Sequence, residues 1–289
     1  MAVLETNAKI SLHLRNNSLP SAQHPFGSQC EELCQRLKDS ESEATSCSSS
    51  SSINKNLDGL QDLHECIHNL LQLPTSQQAL AGECINELLG GSLRLLDIFS
   101  MVQDCLVQSR ETVCELESFI RRRRSKAENG ISIEVGKYIA SRKQIKKAII
   151  QKALTNLKGF KKDLTVASSS SKDNKAFAIL KEAELITLNS LESLLLFING
   201  SKEQQSQGKW KVIPKLMNSS RVEPCDRNEF EKVDAALKTL MNHKSSSIEN
   251  LHSYLENLEL CIQDLEAGVE RLSRQLIRTR VSLLNIFSY

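Results

Sequence analysis

Turn-forming residues are scarce in this 289-residue chain, which holds 11 Gly and 5 Pro, about half the combined share of an average protein. A sandwich or barrel of short strands needs a turn signal every ~10 residues, so the shortage excludes a turn-rich all-β fold. Aromatic residues make up only 4%, and strand-favouring residues seldom alternate with polar ones. Long apolar runs are also missing. Stretches such as Leu194 to Ile198 fall far short of the ~20 residues that cross a bilayer. The first residues carry Glu5, Lys9 and Arg15 in place of the apolar stretch of a secretory signal. The nine cysteines, at 30, 34, 47, 66, 84, 105, 114, 225 and 261, form no CxxC pair and no regular spacing. An odd, scattered set reads as reduced thiols, so a cytoplasmic protein is expected, touching a membrane at most from its surface.

What is abundant is helix-forming. Leu, Lys, Glu, Gln and Ala dominate, residues that keep their rotamer freedom in a helix. With 40% apolar and 25% charged residues the chain can bury a core. Its length allows two domains of about 150 residues or one long one. The expected architecture is all-α: an elongated helical bundle over residues 53–288, preceded by a disordered tail over 1–52. The tail is read as loop-like around Pro20 and Pro25. It ends in a tract where positions 40–52 contain eight Ser, too polar to offset the entropy of ordering it.

Apolar spacing places the helices. Leu57, Leu60, Leu63, Ile67, Leu70 and Leu71 share one stripe that Pro74 ends. Thr75 and Gln78 spell a capping box opening the next helix, and Gly90-Gly91 is expected to break or kink it. From Leu95 the apolar positions step four and three through Phe99, Val102, Leu106, Val113, Leu116 and Ile120, with only Ser109 polar. A helix over about 131–161 carries Val135, Tyr138, Ile145, Ile149 and Leu157. Another holds Phe177 to Ile198 and ends near Gly200. Asp226 with Glu229 is expected to cap the helix that runs to about His243.

The last segment repeats most regularly. Ile248, Leu251, Leu255, Leu258, Ile262, Leu265, Val269, Leu272, Leu276, Thr279, Leu283 and Ile286 step by three and four without a slip, a helix of roughly 58 Å at 1.5 Å per residue. A two-stranded coiled coil would place charges on both flanks of this seam. Here one flank reads Ser247, Tyr254, Cys261, Gly268, Gln275 and Ser282, uncharged throughout. Such a widened neutral face suits packing against several helices of the same chain, so a monomeric bundle is expected over a homodimeric zipper.

Three local patterns carry chemistry. His64-Glu65-Cys66-Ile67-His68 matches H-E-x-x-H, in which two imidazoles one turn apart hold zinc and the Glu activates its water. The apolar stripe sets Glu65 opposite the core and leaves both histidines as solvated flank residues, so no metal ligand, catalytic residue or cofactor is assigned. A zinc hydrolase stays only as an outside alternative. Second, residues 121–162 hold fourteen Lys and Arg against Glu128 and Glu134. Arg121, Arg122, Arg123, Arg124, Arg142, Lys143, Lys146, Lys147 and Lys152 form a candidate basic surface for anionic lipid or an acidic partner. Acids of residues 226–270 offer internal pairing instead. Without interleaved aromatics, nucleic acid is disfavoured. Third, Arg15, Ser18 and Pro20 spell R-x-x-S-x-P, a phosphopeptide of the type that 14-3-3 proteins read once Ser18 is phosphorylated.

Several longer strings point to a family. Ser18-Leu19-Pro20-Ser21 with His24-Pro25, Leu73-Pro74-Thr75 with Gln77-Gln78-Ala79-Leu80, and Gly91-Ser92-Leu93-Arg94-Leu95-Leu96-Asp97 resemble the plant BYPASS-like family. So do Arg121 to Arg124, Ser141-Arg142-Lys143 with Lys146-Lys147, and the closing Leu276-Ile277-Arg278-Thr279-Arg280-Val281-Ser282-Leu283-Leu284-Asn285-Ile286. The likeness runs from about Leu12 to Ser288. It implies a plant-specific helical protein of a family with no established catalytic residues, whose founding branch is associated with root and shoot development. The function expected from all of this is non-enzymatic: regulation or scaffolding through helical surfaces, with a peripheral membrane adaptor as the alternative.

Overall fold

A computed structural model describes residues 25–43, 49–122, 131–167, 174–200, 227–242 and 248–288, and every element among them is helical. In chain order these are α1 (Pro25–Glu43), α2 (Ser50–Leu71), α3 (Pro74–Leu80), α4 (Glu83–Arg122), α5 (Ile131–Ile145), α6 (Gln151–Ala167), α7 (Lys175–Asn199), α8 (Glu229–Asn242) and α9 (Ile248–Phe287). A π-helical turn, Lys146–Ile150, joins α5 to α6.

The seam of α9 is buried by its own chain. Leu251, Leu255, Leu258, Ile262, Leu265, Val269 and Leu272 are fully covered, and Thr279 is 5% exposed. One side of α9 faces α4. Arg280 reaches the Leu89 carbonyl near the start of α4, and Arg110 near its end pairs with Glu266 at 3.0 Å, so the two helices run antiparallel. The other side faces α2, which runs parallel to α9: Arg271 meets Asp58 at 3.3 Å and Ser282 accepts from Gln72 at 3.1 Å. This second side is the uncharged flank. A Cβ on Gly268 would stand 3.0 Å from Leu57, and Gln275 donates to Glu65 at 2.7 Å. From Cys261 to Ser282 the flank is buried, while Tyr254 stays exposed. The flank is neutral because α2 takes it out of water, where unpaired charge would be costly.

The remaining helices close the bundle around α7. It lies parallel to α4, with Lys181 bonded to Glu87 at 2.9 Å, and it contributes Leu188, Leu191, Leu194, Leu195 and Ile198 to the core. Gly200, at φ +73°, ends α7 as the sequence predicts, since only glycine enters that region without cost.

Six departures from the sequence reading have local causes. The expected tail is ordered from Pro25: α1 inserts Cys30, Leu33, Cys34 and Leu37 into the core between α2 and α7. Burying Leu33 and Leu37 contributes about 1.5–3 kcal/mol each. Its stripe is easily missed because half of it is cysteine, although Pro25 suits the first turn of a helix, where its missing N–H costs nothing. The bundle therefore begins at 25 and not at 53, and residues 50–52 belong to α2, capped by the Ser49 hydroxyl; residues 1–24 and 44–48 lie outside the described residues. Second, α3 opens at Pro74, with Leu73 at its cap position and no side-chain cap, so Thr75 does not form the capping box. Third, the break comes at Gly82, φ +101°, and α4 runs unbroken through Gly90-Gly91.

The fourth departure lies in the helix over 131–167. Buried positions step three and four as Val135, Tyr138, Arg142 and Ile145, and again as Ile150, Ala153, Leu157, Phe160 and Leu164. Between Ile145 and Ile150 the step is five. The π turn absorbs this extra residue and brings Ile150 into the core, leaving Ile149 half-buried. Fifth, α8 is capped by Asn228, whose Oδ1 accepts from the Glu231 N–H at 2.9 Å; Asp226 lies outside the described residues. Sixth, His64 and Arg142, both expected in water, are buried.

Candidate functional site

His64, Glu65 and His68 diverge. His64 is 3% exposed, not solvated, and its Nε2 lies 2.9 Å from Thr187 Oγ1 on α7. Burial pushes its pKa down to about 4, which keeps the ring neutral at physiological pH. Glu65 turns the other way and accepts from Gln275 of α9. His68 Nδ1 lies 3.4 Å from Ser282 Oγ, also on α9. The two imidazoles thus point to different helices, and the H-E-x-x-H string is spent on packing.

The basic stretch divides in two. Arg142, expected on the surface, is 4% exposed. Its Nη2 donates to the Ile198 carbonyl in the last turn of α7, its guanidinium lies 4.2 Å from the Phe230 ring, and Nε is 3.9 Å from Asp234 of α8. This arginine is an internal cap, satisfying a carbonyl that the helix end leaves without an intrahelical partner. Lys146, half-buried beside it, pairs with Asp234 at 3.5 Å, and burial lowers its pKa. Asp234 is thus one of the acids that the sequence offered for internal pairing. Arg121 is held by Glu117.

The rest of the stretch faces water. Lys143, Lys147 and Lys152 are exposed, as are Lys158 and Lys162 further along α6, and none of the five pairs with a carboxylate among the described residues. They extend over about 28 Å of helix at 1.5 Å per residue. The neighbouring Asp163 is engaged by Arg94 at 2.8 Å. Arg122 is exposed at the end of α4. Arg123, Arg124 and the Arg15, Ser18 and Pro20 motif lie outside the described residues.

Sequence reasoning did not single out a third place, the seam where the end of α4 crosses the start of α9. It brings together Glu117, His252 and Glu256, with Arg121 beside them. The His252 and Glu256 spacing of four is visible in the sequence; nothing in it indicates that Glu117 stands opposite. A cleft of about 620 Å³ opens between α8, α9 and the start of α2, lined in part by Glu229, Lys232, Asn257, Cys261 and Asp264. Both signs of charge line it, so it selects for neither.

These features define an all-helical bundle whose buried polar groups join helices and which carries a row of exposed lysines along α5 and α6. Residues 56–286 match the family model described as Protein BPS1, which covers most of the chain. The chain therefore belongs to the BPS1 family, in agreement with its BYPASS-like strings. No curated protein and no solved structure matches it. No helix among the described residues is long and apolar enough to cross a membrane.

Proposed function

We propose that this protein is a non-enzymatic regulatory or scaffolding protein of plant root and shoot development, working through the outer faces of its bundle. The observation that carries this reading is how the polar side chains are divided. His64 and Arg142 hold helices together inside the bundle. Lys143, Lys147, Lys152, Lys158 and Lys162 lie uncompensated outside it. Proximity labelling in plant cells, comparing the wild type with a variant carrying Gln at these five positions, tests it. The neighbours labelled by the wild type should be depleted in the variant, and an unchanged set sinks the lysine face as the working surface.

The same lysines favour a second reading, a peripheral membrane adaptor. A lysine near an anionic bilayer contributes about 1 kcal/mol, so five give on the order of 5 kcal/mol. That is enough for reversible, salt-sensitive attachment and too little for a permanent anchor. Sedimentation with phosphatidylserine vesicles should recover the wild type at low salt, less of it at high salt, and little of the five-Gln variant. No recovery at low salt overturns this second reading.

A further inference from the structure

The seam between α4 and α9 holds an imidazole at an unusual spacing from two carboxylates. His252 Nδ1 lies 3.6 Å from Glu117 Oε1, and Nε2 lies 3.4 Å from Glu256 Oε1. Both separations exceed the 2.7–3.2 Å typical of an N–H···O hydrogen bond, and Nδ1, shielded from solvent, has no hydrogen-bond partner. The Nδ1–Glu117 separation does match the edge of a coordination sphere; the Glu256 distance is to the other ring nitrogen, so Glu256 joins the same ion by turning towards Nδ1. Bonds of about 2.0–2.1 Å arranged tetrahedrally put neighbouring donor atoms about 3.3–3.5 Å apart. One donor atom from each of Glu117, His252 and Glu256 lies within 4.8 Å of the others.

We propose that Glu117, His252 and Glu256 form a binding site for a divalent transition-metal ion of the zinc class. One nitrogen and two carboxylate oxygens are a borderline donor set, which suits zinc better than calcium or magnesium, ions that prefer oxygen alone. The three ligands sit on two rigid helices. His252 and Glu256 are one turn apart on α9, and Glu117 projects from α4 with its side chain 6% exposed. Arg121 is the resident counter-ion. It bonds to Glu117 and stands 3.9 Å from Glu256, yet its own side chain is 62% exposed and can swing into solvent when a metal arrives. Two carboxylates against one guanidinium give the site a negative balance, the sign that a dication requires. A bound ion would clip the end of α4 to the start of α9 without requiring any reaction. The site is independent of the lysine face.

The test uses the full-length, reduced protein. Zinc titration against a competing chelator should find one tight equivalent in the wild type. His252→Ala and Glu256→Gln should each weaken it by about tenfold or more, since even outer-shell partners of metal sites contribute that much. Glu256 is half-exposed, so its variant keeps the fold, which circular dichroism verifies. Cobalt substitution guards against zinc held by the cysteines: the expected spectrum has d–d bands without a thiolate charge-transfer band. No stoichiometric zinc, an affinity unchanged in both variants, or a thiolate band would overturn the site.

Discussion

The two longest helices, α4 and α9, are each forty residues long and lie antiparallel against one another, yet they differ in how openly the sequence announces them. In α9 the apolar step never slips, and the buried ribbon follows the written pattern from Leu251 to Ile286. In α4 two adjacent glycines suggest a break that does not occur. Their surroundings explain why. A Cβ on Gly90 would meet nothing within 4 Å, whereas one on Gly91 would overlap the Glu184 carboxylate of α7. Gly91 thus leaves room for the Glu184 carboxylate that α7 sets against α4, and Gly90 is a tolerated weakness on the solvent side. A glycine reports the freedom of its own backbone; the neighbour opposite decides how that freedom is used.

The comparison can be broken most forcefully in α9. Leu265→Ala removes a fully buried side chain of the ribbon and should lower stability by about 2–5 kcal/mol in urea unfolding. Leu106→Ala in α4 should cost a similar amount, since Leu106 is equally covered. A loss under ~1 kcal/mol at Leu265 alone would mean that α9 is only loosely docked.

The next test uses pH to probe the groups that α7 holds against α4 and α2. Glu184 is pushed up from 4.5 to about 7, chiefly by burial and against the pull of Lys181. Its contribution to stability is full below pH 4.5 and is lost as pH rises through 7. His64 behaves oppositely: its pKa falls from 6.5 to about 4, so its contribution is full above pH 6.5 and is lost as pH falls through 4. Each is worth up to ~3 kcal/mol, and between pH 4.5 and 6.5 the two slopes cancel. Relative to the wild type, Glu184→Gln should gain stability with rising pH in that window, and His64→Gln should lose it. Parallel melting-temperature profiles for all three proteins would refute both assignments.

Smaller effects sharpen the glycine contrast. Gly91→Ala should destabilise by about 1–3 kcal/mol, the cost of forcing a methyl group into a filled site. Gly90→Ala should stabilise by about 0.5–1 kcal/mol through helix propensity alone. Equal responses would show that the Glu184 carboxylate does not fill the space beside Gly91.

Other elements divide along the same line. The π turn at Lys146–Ile150 was present in the spelling as a five-residue step between buried positions, but recognising it required knowing that Ile150 and not Ile149 is covered. The first helix was obscured because cysteine fills half its stripe. Among the candidate site residues, Lys143, Lys147 and Lys152 are exposed as their charge suggested, whereas Arg142 lies inside because the end of α7 offers it a carbonyl and α8 offers it Asp234 and the Phe230 ring. His64 and His68 spell a motif and face different helices, while His252 and Glu256 spell nothing familiar and meet Glu117.

The sequence by itself determined that the chain is helical, where most of the helices lie and that the α9 ribbon is buried. Helical period and side-chain hydrophobicity are properties of consecutive residues, so neighbours along the chain suffice to express them. Only the tertiary structure decided which glycine has a neighbour against it, which cation turns inward and which acids surround His252. Each of those outcomes depends on a side chain or carbonyl that arrives from a distant part of the chain, and desolvation and close contact act only once it is there.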